Sequence, residues 1–301
     1  MKRGRRIGVD LGGTQVKMAL VNERGRVLDR ADVSTMKDPW VLVKALRSAG
    51  KKWFSEDILG TGVGVAGDVD PARGVVRFSP NLGWRNVKLA SLFRRAGFPG
   101  PVCMDNDATV AAWGANHLEF GGRARNLVVL TLGTGVGGGL IFNQRLYHGS
   151  TGTAGEVGHL CVEEKGALCA CGQRGCLEAY LGGASIVRWA RSAYKKSGHS
   201  VGLLTPKTIG ELARKGDRVA RDAWARAGHA LGVGFSLLVN LLNPDTILLT
   251  GGVSRGASLF LPRALRVMKQ RSFQTSSRAV RVVVSHRASD LGVVGAALLV
   301  E

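Results

Sequence analysis

His159, Cys169, Cys171 and Cys176 follow one another with the spacing H-x9-C-x-C-x4-C inside the stretch GEVGHLCVEEKGALCACGQRGCLEAY. Imidazole and thiolate are ligands that zinc prefers, and four of them close a tetrahedral site with no position left for a reacting water. The spacing therefore predicts a structural zinc. A redox pair would ask for C-x-x-C, whereas a single residue separates Cys169 from Cys171. Cys103 and Cys161 are expected to be small buried apolar residues. Two carboxylates flank the ligands, Glu156 just before His159 and Glu178 just after Cys176. A metal anchoring both flanks would hold them in place to accept hydrogen bonds from paired hydroxyls.

A second chemical candidate is Asp107 in MDNDA, placed where a strand gives way to a helix. Its carboxylate could serve as a base or cap the helix as its N-cap. Three glycine turns, DLGGT (10–14), LGTGVGGG (132–139) and LTGGV (249–253), each follow an apolar run. Glycine there lets backbone N–H groups approach a phosphate closely. Gly133, Gly135 and Gly138 match G-x-G-x-x-G, but the dinucleotide fingerprint needs a helix opening at the glycines. LIFNQRLY follows instead and alternates like a hairpin. No GxxxxGK[ST] occurs, which excludes a Walker-type site.

The elements that must carry these residues read as a repeat. Ile7, Val9 and Leu11 alternate, then Val16, Met18 and Leu20, and a third run ends near Val33, which predicts a three-stranded meander. A helix is expected from Trp40 to Phe54, and LGTGVGVAG reads as a buried strand. VCMDND (102–107) is a strand before the helix DATVAAWGANHL. NLVVLTLGTGVGGGLIFNQRLYHG then restarts the meander pattern, which suggests a duplicated α/β unit with a cleft between the copies. Mostly helical sequence runs to Asn243. DTILLTGGV and RAVRVVVS follow as strands, and LGVVGAALLV as a closing helix.

Composition limits the classes. The 301 residues are 45% hydrophobic and 21% charged, which is globular, with room for two domains. Net charge is +20, from 42 Lys plus Arg against 22 Asp plus Glu. Such charge attracts polyanions, but the basic residues are dispersed, and no helix-turn-helix segment is expected ahead of the first strand. The opening MKRGRR does not fit a signal peptide, and no run reads as long enough to span a bilayer. Five cysteines without export signals suggest a reducing cytoplasm.

DLGGT, LGTGVGGG and LTGGV resemble the nucleotide-binding elements of the sugar kinase, hexokinase and actin superfamily. From Leu132 to Glu178 the glycine hairpin, E-x-G-H and C-x-C-G-x-x-G-C-x-E are similar to the signature of the ROK family of bacterial sugar kinases and related repressors. The likeness covers essentially the whole chain. It implies a duplicated α/β fold of the actin-like ATPase (ribonuclease H-like) class, two domains around a nucleotide and sugar cleft. One domain would be residues 1–107 plus 290–301, the other 108–289.

The resemblance also implies roles. ATP phosphates would lie at Gly12, Gly13, Thr14, Thr134 and Gly135, with Lys17 in the same set. Gly251 and Gly252 would border the adenosine, and Asp10 would orient Mg2+. Gly67, Asn81 in SPNLGW, Asn106, Glu156, His159 and Glu178 would hold the sugar, with Asp107 as the catalytic base. His159 would then serve zinc and sugar with one ring nitrogen each. The expected reaction is phosphorylation of a hexose at its 6-hydroxyl, glucose first. Other hexoses (mannose, fructose) and the N-acetylhexosamines N-acetylglucosamine and N-acetylmannosamine are the alternatives. A sugar-responsive repressor competes from another class. Such repressors carry a DNA-binding domain ahead of the sugar-binding part and often have degraded phosphate motifs. Here DLGGT begins at residue 10 and the motifs are intact. The expected partners are sugar and ATP, with no specific nucleic acid and no membrane, in a homo-oligomer (dimer or tetramer).

Overall fold

Strands β1 (Arg5–Leu11), β2 (Gln15–Val21) and β3 (Val27–Ser34) form the expected antiparallel meander. β1 is buried on both faces, whereas β3 alternates half-buried with exposed positions, as an edge strand does. The computed structural model describes residues 4–55, 57–198 and 202–300, so the basic opening segment is covered only from Gly4. Helix α1 (Pro39–Ala49) starts at Asp38, whose carboxylate accepts the Val41 N–H, and stops at Gly50. A 3-10 turn, Lys51–Ser55, follows. The helix expected to Phe54 is thus divided at the glycine.

After β4 (Ile58–Val65), the strands β5 (Asp68–Asp70), β6 (Val75–Ser79) and β7 (Trp84–Val87) make a small antiparallel sheet with no counterpart among the sequence expectations. Then come α2 (Leu89–Arg95), β8 (Val102–Asn106) and α3 (Asp107–Phe120). The repeat begins with β9 (Leu127–Leu132), β10 (Val136–Phe142) and β11 (Arg145–Leu146). Four helices follow: α4 (Glu178–Leu181), α5 (Gly183–Lys196), α6 (Pro206–Arg214) and α7 (Arg218–Leu242). The chain continues through β12 (Thr246–Thr250), α8 (Ala257–Arg271), α9 (Gln274–Ala279), β13 (Arg281–Val284) and α10 (Leu291–Ala297).

The large sheets have the orders β3-β2-β1-β4-β8 and β11-β10-β9-β12-β13. In each, the first strand of a meander is continued by two parallel neighbours. The expected duplication is present.

Two compact units result. The first runs to Arg125 and adds Gly139–Gly155 and the segment from Arg287; the second is Asn126–Gly138 with Glu156–His286. The division expected at residue 107 is therefore displaced, because α3 packs within the first unit. Two glycine seams draw it there. A Cβ at Gly295 of α10 would collide with Val110 O, and one at Gly114 of α3 with Leu291 O. α10 also lies against β1 and β4, where a Cβ at Gly62 would strike Ala296 O. One face of this sheet buries Leu42, Leu46, Trp53 and Phe93, and the other buries Val293, Val294, Ala297 and Leu298.

In the second unit α7 is the central helix, capped by Asp217, with Trp224, Leu231 and Phe235 buried. It has the length and apolarity of a membrane span, which the sequence reading did not anticipate, yet 61% of its most apolar window is buried inside the protein. Its apolar surface serves the core of its own unit.

Candidate functional site

In the first unit the turn Gly12–Gly13–Thr14 projects from the sheet between β1 and β2, exposed at Gly13 and Thr14. Thr35 closes it from β3's end: its Oγ1 donates to Gly12 O at 2.7 Å and its N–H to Thr14 O at 3.1 Å. Asn81, exposed in the β6–β7 turn, lies beside it, since a Cβ at Gly13 would come within 3.4 Å of Asn81 Cβ. Asp10 and Lys17 are cross-strand partners on β1 and β2. Burial raises the Asp10 carboxyl to about 6, the Asp107 charge pushes the same way, and Lys17 opposes. Gly292 makes the room this carboxylate occupies, because a Cβ there would collide with Asp10 Oδ2.

Asn106, not Asp107, caps α3. Its Oδ1 accepts from Ala108 N at 2.9 Å and Thr109 N at 3.3 Å, while its Nδ2 donates to Gly67 O at 2.9 Å. Gly67 holds φ 130°, and a Cβ would crowd Phe78 O and Ser79, so the position demands glycine. Asp107 is the first helical residue, with its Oδ1 accepting Ala108 N at 2.9 Å. Burial raises its carboxyl against the pull of these backbone N–H groups. A carboxylate so raised is a better proton acceptor.

In the second unit Glu178 stands against the other glycine turn. Its Oε2 accepts the Val136 N–H at 2.8 Å, and a Cβ at Gly135 would collide with that oxygen. The start of α5 completes the hold: Gly183 N donates to Gly133 O at 2.9 Å and Ala184 N to Thr134 O at 3.1 Å. Gly251 adopts φ 96° with no space for a Cβ against Leu132 O. A cavity of about 850 Å³ is lined by Thr134 and Gly252 together with Lys207, Arg214, Trp224 and Arg255. Small-molecule sites typically span roughly 300–1,000 Å³.

His159, Cys169, Cys171 and Cys176 bring one donor atom each to within 4.8 Å of one another. Zinc–sulfur bonds of about 2.3 Å imply tetrahedral ligands about 3.8 Å apart, and Cys171 Sγ lies 3.7 Å from Cys176 Sγ. The donor set fits zinc. Without a cation, burial and the neighbouring thiols push Cys176 up to about 12. Glu178 Oε1 is 3.8 Å from Cys169 Sγ, and exposed Glu156 lies 3.8 Å from His159 Nε2. Tyr180 braces the loop, donating to Glu163 Oε2 and accepting from Ala167 N at 2.7 Å. Cys161 is exposed and Cys103 half-buried, so the expectation of two buried cysteines fails. Cys161 opens onto the polar metal loop, its Sγ 3.9 Å from Arg174 O.

Sequence reasoning missed Gly292, the basic and aromatic cavity wall, and a His148–Asp105 pair. Lys207 and Arg214 sit on an amphipathic helix and read as ordinary surface, and the other contacts join distant segments.

The ROK family model matches residues 6–301. A glucokinase of Streptomyces coelicolor is 35% identical over 98% of this chain and 96% of its own length. A xylose repressor of Caldicellulosiruptor bescii is 32% identical over 93% of this chain and 73% of its own length. Among solved structures, a ROK family glucokinase from Streptomyces griseus in complex with glucose and AMPPNP superposes with a TM-score of 0.83. Its identity is 34%, with 99% of each chain covered. With glycine turns, cysteine cluster and whole-length likeness in agreement, the chain belongs to the ROK family.

Proposed function

We propose that the chain is an ATP-dependent glucokinase, transferring the γ-phosphoryl group of ATP to the 6-hydroxyl of glucose. The observation that carries this reading is Asp107. A raised carboxyl stands at the head of α3, next to an asparagine whose amide is tied to Gly67. Asp107 accepts the hydroxyl proton as the oxygen attacks phosphorus. Gly67, Asn81, Asn106, Glu156, His159 and Glu178 are the residues we assign to the sugar hydroxyls. Gly12, Gly13, Thr14, Lys17, Thr134 and Gly135 receive the phosphates through backbone N–H groups and positive charge. The cavity bordered by Gly252, with Gly251 behind it, takes the adenosine.

Phosphoryl transfer needs mainly positioning and charge stabilisation. Asp10, a carboxylate beside the exposed phosphate turn, suits the Mg2+ carried by the nucleotide, which neutralises phosphate charge when bound. The zinc set His159, Cys169, Cys171 and Cys176 holds the loop between Glu156 and Glu178, and its closed coordination leaves it out of the chemistry. The glucokinase relatives, matched over nearly their full length, support glucose as substrate.

The test is ADP release across a panel of hexoses and N-acetylhexosamines, with Asp107→Asn beside the wild type. Glucose should be turned over with the highest kcat/KM. The variant should lose about 10²–10⁴-fold in kcat while still binding sugar. Near-normal turnover by a folded Asp107→Asn protein would remove Asp107 as base. A preference for an N-acetylhexosamine would reassign the substrate.

A further inference from the structure

His148 lies just after β11, between the glycine hairpin and E-x-G-H. Its Nε2 is 2.6 Å from Asp105 Oδ2. Asp105 is only 3% exposed, and its other oxygen, Oδ1, accepts the Asn106 N–H at 2.8 Å. A buried carboxylate is tolerated only when donors answer it, and His148 is the side chain that does so. The hydrogen bond draws the His148 pKa upward in return, favouring the charged donor.

The contact continues in both directions. On one side Asn106 divides its amide between Gly67 O and the first turn of α3, where Asp107 stands. On the other, the loop after His148 is closed on itself by Ala154 N donating to His148 O at 3.1 Å. Arg77, paired with Asp68, fixes it further by donating to Thr151 O at 2.8 Å. His148 thus pegs a braced loop to the buried end of β8.

We infer that His148 is a positioning residue for the phosphoryl transfer: through Asp105 it sets the backbone at Asn106 and thereby the aim of Asp107. The inference rests on Asp107 being the base. Removing the imidazole leaves Asp105 with its backbone donor alone, so the side chain turns away and Asn106 loses its fixed N–H contact. Misplacing a reacting group by about 1 Å costs up to roughly 10²-fold in rate.

The experiment compares His148→Leu, His148→Gln and Asp105→Asn with the wild type in kcat, KM for sugar and KM for ATP. His148→Leu removes the donor, and kcat should fall on the order of 10–100-fold with KM for ATP unchanged. Gln can donate to Asp105 and should restore most of the loss. Asp105→Asn keeps the volume and an acceptor for the Asn106 N–H but can no longer accept from a charged His148, and should lower kcat in the same direction as His148→Leu. Wild-type kcat in folded His148→Leu overturns the inference, as does a Gln variant no better than Leu. If neither His148→Leu nor Asp105→Asn folds, the pair is scaffold and the inference falls. A wild type that phosphorylates no sugar would instead defeat the kinase reading, and this inference with it.

Discussion

Glu178 offers the sharpest test of how the second unit holds its glycine turn. Its carboxylate accepts the Val136 N–H at 2.8 Å, and Val136 is buried at 6% exposure, so water cannot easily replace the lost partner. A hydrogen bond to a charged group contributes about 1.5–3 kcal/mol. The lower end applies, because Glu178 is only partly buried and two other ties to the turn, from Gly183 and Ala184, survive its removal. Glu178→Ala should therefore weaken nucleotide binding by about 1.5 kcal/mol, roughly tenfold, even with no sugar present. Glu178→Gln keeps a carbonyl that can accept the same N–H and should lose less. The assay is calorimetric titration of AMPPNP with Mg2+ into sugar-free protein, after checking that metal content is unchanged. If Glu178→Ala binds nucleotide as the wild type does while glucose affinity collapses, Glu178 serves the sugar alone and the turn needs no carboxylate.

Asp10 should stabilise function at the expense of the fold. Its folded pKa, raised to about 6 from 3.8, means the native state binds the proton more tightly, so stability is lost as pH rises from about 4 through 6. Asp10→Asn removes that penalty and should raise stability at pH 7 by at most about 3 kcal/mol, and Tm with it, but not at pH 4, while activity falls; an equal Tm gain at both pH values would contradict the assignment. Metal analysis of the purified chain should find one zinc per chain. Cys171→Ser should lose it together with most glucose affinity, with nucleotide binding less affected; a fully active, zinc-free wild type would refute the cluster's role.

Local signals made much of this legible. Alternation at Ile7, Val9 and Leu11 announced the meander, glycine marked its turn, and four candidate ligands in one short segment announced the His–Cys cluster. What stayed hidden depends on tertiary neighbours. Asp107 and Asn106 are both good capping residues, and only the hydrogen bonds show that Asn106 takes the cap. The β5–β7 sheet uses very short strands around Pro71 and Gly74, below the length at which alternation is readable. α7 looks like a membrane span because its second half, residues 230–242, is apolar nearly all round, as a helix central to its unit can be. His148 and Asp105 are far apart in sequence, and neither type nor spacing links them.

The placement of α10 has a consequence for biosynthesis. The sheet face that it covers, at Ala19 and Val21, belongs to the opening strands, yet the helix is encoded after the whole second unit. At roughly 5–20 residues per second, a ribosome needs on the order of ten to thirty seconds between α3 and α10. During that interval the nascent first unit exposes Gly8, Gly62 and their apolar neighbours without a lid, and the second unit, which runs to His286, is complete only at its end. The nascent first unit is therefore the half of the chain that calls for a chaperone, and ribosome-bound chains stalled before residue 291 should be protease-sensitive in β1–β4 and resistant in α7.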